Sequence, residues 1–235
     1  MVQKSDKSRR TEGSPSGTGR RAEGSPSGTR RRGRPPAYDR ELALERALDA
    51  FWKAGYAATS LDDLSAATGM NRPSLYGAFG DKRDLYLLAL EHYRASSRAG
   101  VARALAPERS LREGLAALYA GALSRYLAGE RGGRGCFLVS TATTEAVASP
   151  EVRAVMAESM RELDQAFEAR LRLAAERGEL PAGADPKALA RLAQAVLHTL
   201  AIRARAGEER AVLDEIAASG VDLICGPARS AARRR

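Results

Sequence analysis

Between Ser60 and Phe79 the chain sets out polar side chains at positions where a nucleic acid could be held. Ser60 and Asn71 each stand at the start of a short apolar stripe, and a helix beginning there presents free N–H groups and a positive dipole end that attract phosphate. Gly69 marks a turn between the two stripes. With Leu75 and Phe79 assigned to a core face, Arg72, Ser74, Tyr76 and Ala78 are left on the outer face of the second stripe, free to meet base edges. A short helix, a glycine turn and a second short helix form the arrangement in which the second helix enters a major groove while the first braces against phosphates. Upstream, Arg32-Gly33-Arg34-Pro35 has the core of an AT-hook, an extended Arg-Gly-Arg that fits a narrow A/T-rich minor groove.

Other chemistries find less support. No nucleophile elbow, HExxH, P-loop or dinucleotide fingerprint occurs, so catalysis is not expected. His92 and His198 are the only histidines, and Cys136 and Cys225 stand far apart with no CxxC spacing, which gives no metal site, disulfide framework or bound cofactor. Cys136 follows Gly135 at what reads as a helix start, where a helix dipole lowers a thiol's pKa. Two readings of it stand: a redox- or electrophile-sensing thiol, or the small buried apolar residue that a lone cysteine more commonly is.

The elements that must position these residues are all helical, and the pattern predicts an all-α chain of about nine helices with no alternating strand pattern. Leu44, Leu48, Phe51 and Trp52 recur at the spacing of one buried face until Gly55. Ser60 with Asp63 resembles a capping box for a helix carrying Leu61, Leu64 and Ala67, and Asn71 caps the next, in which Pro73 falls in the tolerant first turn. Asp81 caps a longer helix with Leu85, Leu88 and Ala89. Beyond it, Ser110 opens a helix through Leu111, Leu115, Leu118 and Ala122 that the glycine-rich stretch 129–135 closes, and a short apolar segment runs from Cys136 to about Val147. Ser149-Pro150 and Asp185-Pro186 are N-cap and first-turn pairs for two long helices ending at Gly178 and Gly207, and a last helix carries Val212, Ile216 and Leu223.

Charge divides the chain further. Residues 1–36 hold ten Lys/Arg against three Asp/Glu and repeat EGSPSGT at 12–18 and 23–29, a composition too polar to bury a core, so a disordered basic arm is expected there. Residues 229–235 form a basic tail, whereas 37–228 are nearly neutral with 24 basic and 26 acidic side chains. Basic ends on a neutral body point to a polyanionic partner. The longest stretches without a formal charge, 114–124 and 192–202, fall well short of a membrane span, no secretory core opens the chain, and a cytoplasmic location is expected.

Phe51, Gly55, Tyr56, Thr59, Ser60, Leu64, Gly69, Leu75, Tyr76, Phe79 and Lys82 together resemble the tetracycline-repressor (TetR/AcrR) family over about 50 residues. The resemblance implies a homodimeric, all-helical transcriptional regulator, usually a repressor, whose N-terminal reader (37–98) binds a palindromic DNA operator and whose C-terminal domain (99–228) binds a small-molecule effector. Carried over by position, Thr59 and Ser60 would touch the DNA backbone, Asn71, Arg72, Ser74 and Tyr76 would do so or read bases, and Lys82 would meet a phosphate. Helices at about 186–206 and 208–226 resemble the family's dimer interface, and each carries an apolar stripe that a two-fold partner could bury. The middle helices would enclose the effector, with Tyr119, Tyr126, Phe137, Met156, Met160 and Phe167 as candidate lining residues and His198 as a weaker one, a set that favours a hydrophobic or aromatic ligand. Gly77 and Ala78 depart from the family's bulkier side chains, which shifts sequence reading toward Arg72 and the arm. The rival is a helical thiol- or small-molecule sensor that holds DNA non-specifically through its basic ends. Arg32→Ala with Arg34→Ala is expected to weaken DNA binding and reduce the slope of log affinity against log salt by up to about two; an unchanged slope would eliminate the minor-groove role.

Overall fold

The computed structural model describes residues 39–129 and 133–227; Arg32, Arg34 and the rest of the basic arm, like the tail 229–235, lie outside the described residues. Every regular element among the described residues is helical. Helix α1 (Arg40–Ala54) starts where the Asp39 carboxylate accepts the backbone N–H groups of Glu41 and Leu42, at 2.9 and 3.2 Å, and it buries Leu44, Leu48, Phe51 and Trp52 on one face. Helix α2 (Leu61–Thr68) opens on a complete capping box between Ser60 and Asp63. Helix α3 (Arg72–Phe79) is capped by Asn71, whose Oδ1 accepts the Ser74 N–H at 2.9 Å. A second capping box, Asp81 with Asp84, opens α4 (Lys82–Ala104). The reader boundary expected at 98 falls inside α4, which continues unbroken to Ala104.

Helix α5 (Leu111–Tyr126) follows, and the short apolar segment after it forms a π-helical turn (Leu138–Ala142) leading into α6 (Thr143–Glu145). Helices α7 (Pro150–Glu176), α8 (Pro186–Arg205) and α9 (Arg210–Cys225) complete nine α-helices among the described residues, the first two of them capped by Ser149 and Asp185 as their sequences predict. None of these helices is long and apolar enough to cross a membrane.

Two apolar cores result. One is built by α1 to α4 around Phe51, Trp52, Leu64, Leu75, Phe79 and Tyr86. The other joins α5, α7, α8 and α9 around Leu115, Tyr119, Leu123, Phe167, Leu171 and Leu200. Phe137 belongs to the first core although it lies far along the chain: its ring sits 5.6 Å from those of Trp52 and Tyr93 and 6.0 Å from that of Tyr86. Its place is fixed by the segment before it. The Trp52 indole donates to the Arg134 carbonyl at 3.1 Å, and the Arg134 guanidinium lies over the indole ring while pairing with Asp49 at 2.8 Å. Gly133 and Gly135 run against α8 so closely that a Cβ would stand 1.9 Å from the Ala204 carbonyl oxygen and 2.6 Å from that of Ala201. Only glycine fits there. Removing the Phe137 ring should therefore cost about 3–5 kcal/mol; urea unfolding of Phe137→Ala at fixed protein concentration checks this, and a loss below about 1 kcal/mol would show that the site collapses without it.

Candidate nucleic-acid interface and ligand cavity

The outer face of α3 is open. Asn71 and Arg72 are exposed, Tyr76 is 47% exposed, and Ser74 is half-buried with no side-chain hydrogen bond among the described residues. Arg72 is held in a defined pose: its Nε and Nη2 donate to the Asp62 carboxylate of α2 at 3.0 and 2.7 Å, and the hydrogen bonds and charge of Asp62 raise the guanidinium's pKa further. Gly77 occupies the same open face, and a Cβ added there would meet nothing within 4 Å. The packing of the free protein therefore gives no reason for a glycine at that place.

Beside α3, Lys82 opens α4 with its ammonium 4.4 Å from the centre of the Tyr56 ring, a cation–π contact that aims a flexible side chain. Burial, with the nearby Asp81 charge, raises the Tyr56 pKa, so the ring stays neutral beneath the cation. Ser60 spends its hydroxyl on the capping box, accepting from the Asp63 N–H at 3.1 Å and donating to its carboxylate at 2.6 Å, while the residue itself remains exposed. These bonds, made mainly through the hydroxyl, hold the Asp63 carboxyl below its usual range.

Thr59 is a correction. It is only 2% exposed, and its hydroxyl donates to the Gly55 carbonyl at 2.6 Å, closing the α1–α2 turn from inside, so its side chain is not presented to a DNA backbone. Three contacts that sequence patterning passes over complete the surface: Asp62 as the partner of Arg72, Tyr56 as the seat of Lys82, and Arg40, which donates to the Ala78 carbonyl at 3.4 Å and lies over the Phe79 ring. Their only sequence signal is charge or aromaticity, because each forms across a turn or between helices.

A cavity of about 320 Å³ opens between α4, α5, α7 and α8. Tyr126, Met156 and Met160 line it as expected, and so do His198 and Cys136. Tyr119, Phe137 and Phe167 do not. The Tyr119 ring is fully buried with its hydroxyl donating to the Ala193 carbonyl at 3.0 Å, Phe167 is packed in the C-terminal core, and Phe137 belongs to the reader's core. Periodicity marks such residues as buried but does not say on which side of a helix wall a void lies. Burial, partly offset by the Asp164 charge, lowers the His198 pKa, so the imidazole facing the cavity is neutral near pH 7. The Tyr93 hydroxyl donates toward the Cys136 sulfur at 3.4 Å, and burial raises the pKa of this tyrosine far above its ordinary value.

A capped pair of short helices with an open outer face, joined through a long fourth helix to a cavity-bearing helical body, defines a helix-turn-helix transcriptional regulator. Residues 43–89 match the family model for bacterial regulatory proteins of the tetR family, and 112–219 match that of the tetracyclin repressor-like C-terminal domain. The HTH-type transcriptional repressor ComR of Escherichia coli (strain K12) is 31% identical over 192 residues, which span 81% of this chain and 91% of ComR. The HTH-type regulator YezE of Bacillus subtilis (strain 168) is 32% identical over 160 residues, 68% of this chain and 82% of YezE. Among solved structures, a cysteine mutant of the TetR-family regulator CifR, complexed with 26-base-pair operator DNA, is similar at a TM-score of 0.71 and 34% identity, covering 80% of this chain and 98% of that one. The chain belongs to the TetR family and is a sequence-specific DNA-binding regulator of transcription, which sets aside the rival of a sensor that holds DNA only through its basic ends.

Gly77→Ala tests what the open face of α3 is for. Since the added methyl group meets nothing in the free protein, it should stabilise the fold by up to about 1 kcal/mol through helix propensity. If DNA lies close against Gly77, the same variant binds operator more weakly, as measured by fluorescence anisotropy; unchanged affinity would mean that the glycine is not needed for close approach.

Proposed function

We propose that the protein is a homodimeric repressor released from a palindromic operator by a small-molecule effector. The observation that carries the reading is the continuity of α4: its first residue, Lys82, sits beside α3, and its stretch from Tyr93 to Ala104 forms a wall of the cavity. A ligand that binds better to one placement of α4 shifts the reader by its own differential affinity, typically about 1–3 kcal/mol of coupling. The N-terminal end of α4 is tied to the body as well, because Arg83 donates to the Ser149 hydroxyl at 3.1 Å and pairs with Glu151.

In this reading Asn71, Arg72, Ser74 and Tyr76 face the bases or backbone of the major groove. Ser60 and Lys82 meet phosphates on either side, and Arg32 and Arg34 reach the minor groove. Asp62 already holds the Arg72 guanidinium in a defined place, and an exposed ion pair exchanges readily for a phosphate or a guanine edge. Helices α8 and α9 supply the two-fold interface. Ile202 and Leu223, 58% and 70% exposed in the single chain, together with Leu192, are the large apolar side chains that a second copy would cover. The protein acts in the cytoplasm and binds rather than transforms its ligand.

The test is binding of the purified dimer to its own upstream DNA at several salt concentrations, with unrelated DNA of equal length as control. Preference above about a thousandfold with a two-fold symmetric footprint is expected, retained after deletion of residues 1–30. Equal, steeply salt-dependent binding to both DNAs would overturn the reading.

A further inference from the structure

The cavity is apolar over most of its wall, but its charged groups are unbalanced. Arg94, Arg98, Arg103 and Arg125 face it against one carboxylate, Glu162. Arg94 and Arg98 share that carboxylate, at 3.2 and 3.1 Å, and Arg94 also bonds Glu91 at 2.8 Å. Arg125 and Arg103 have no carboxylate partner among the described residues. The Arg125 Nη1 donates to the Ser97 hydroxyl at 2.9 Å, and its guanidinium faces the Tyr93 ring. Both unneutralised groups converge on Gly100 of α4, where an added Cβ would stand 3.3 Å from the Arg125 Nη2 and 3.9 Å from that of Arg103. Any larger residue at this interior helix position would press on the Arg125 guanidinium.

A second, independent feature points to a ligand in the same space. Gln194 of α8 lines the cavity at 7% exposure, and its amide makes no hydrogen bond to any described residue. Its amide atoms keep surface open to the cavity, where a ligand's polar atom can take the place of water as their partner. One turn further along α8, His198 shows a neutral imidazole to the same cavity.

We propose that the effector is an organic carboxylate with an aromatic or aliphatic body of about naphthalene size, its carboxylate held at Arg125 and Arg103 and a polar atom satisfied by Gln194. Met156, Met160, Leu163 and Leu197 pack the body, and the excess of guanidinium charge disfavours cations. This deepens the effector reading and rests on it, since it names the class of molecule that the cavity of a ligand-released regulator would take.

The experiment is calorimetric titration of the full-length protein with 2-naphthoate, 2-naphthamide and 2-naphthylmethylammonium, which share one body and differ in head charge. Naphthoate should bind at least about tenfold more tightly than the amide, with the cation weakest. Arg125→Gln should bring the naphthoate-to-naphthamide ratio within about threefold of unity, and Arg125→Lys should restore most of the preference. Gln194→Leu should weaken 6-hydroxy-2-naphthoate, whose hydroxyl supplies the second polar atom, and leave 2-naphthoate, which has none, within about twofold; equal loss for both would remove Gln194 from the site. Equal binding of all three, tightest binding of the cation, no binding by any to protein whose circular dichroism is native, or a ratio indifferent to Arg125→Gln overturns the proposal. Operator affinity measured alongside separates the two levels: naphthoate that binds as expected but leaves operator affinity unchanged defeats the effector reading while the ligand class stands. Operator release by all three with no charge preference does the reverse.

Discussion

Phe137 packed among Trp52, Tyr86 and Tyr93 is the contact on which the rest of the molecule depends. It carries a residue of the C-terminal body into the core of the DNA-reading helices, and the close-packed interior transmits displacement instead of absorbing it. Around it, the Tyr86 hydroxyl bonds that of Thr141 at 2.8 Å, and Thr141 donates to the Phe137 carbonyl at 2.9 Å, so the π-helical turn is fastened to α4 by hydrogen bonds as well as by packing. Arg205 adds α8 to the assembly by donating to the Trp52 carbonyl at 3.2 Å. A helix-turn-helix on a flexible tether could bind DNA, but nothing that happened in the cavity would reach it. Through Phe137 and these bonds, α1, α4, the π-helical turn and the end of α8 are packed into one continuous set of contacts.

The reading surface shows how little machinery a short recognition helix needs when its neighbours set its side chains. Helix α3 is eight residues long, contains Pro73 and Gly77, and would not persist alone in water. Leu75 and Phe79 anchor it, Asn71 caps it, and Asp62 pairs with Arg72 across the turn. Lys82 is aimed in the same way by Tyr56. Holding long cationic side chains in place before binding reduces the entropy lost on contact with phosphate or base, which is the role proposed for these two.

The cavity illustrates the difference between buried and lining. Tyr119 and Phe167 are among the most deeply buried aromatic residues, and burial is why they are not available to a ligand, since their surfaces are already covered by protein. Beside buried residues such as Tyr126 and Leu197 and the paired Arg94 and Arg98, the void is faced by groups with spare capacity: the methionines, a neutral histidine, the Gln194 amide, and Arg125 and Arg103, which have no carboxylate partner among the described residues. What a cavity can recognise is written in such unmet needs.

Much of this was legible in the sequence, for a local reason. Ser60 with Asp63, Asn71 with Ser74, and Asp81 with Asp84 are partners within one helical turn, and the proline pairs at Pro150 and Pro186 act on their own backbone, so the starts of these five helices follow from neighbours in the chain, whereas the end of α4 at Ala104 does not. The helix-turn-helix and its family pattern lie within one continuous stretch and were readable for the same cause. Tertiary structure alone decided what depends on residues distant in sequence. It put Thr59 inside through a bond to Gly55 whose geometry requires the finished turn, and it sent Phe137 to the reader's core instead of the cavity. It also brought Gln194 onto the cavity wall beside His198, which the sequence offers only as a weaker candidate because its helix resembles the dimer interface. An apolar stripe shows that a face is buried; which partner covers it, and where the packing leaves a gap, is set by how all the helices come together.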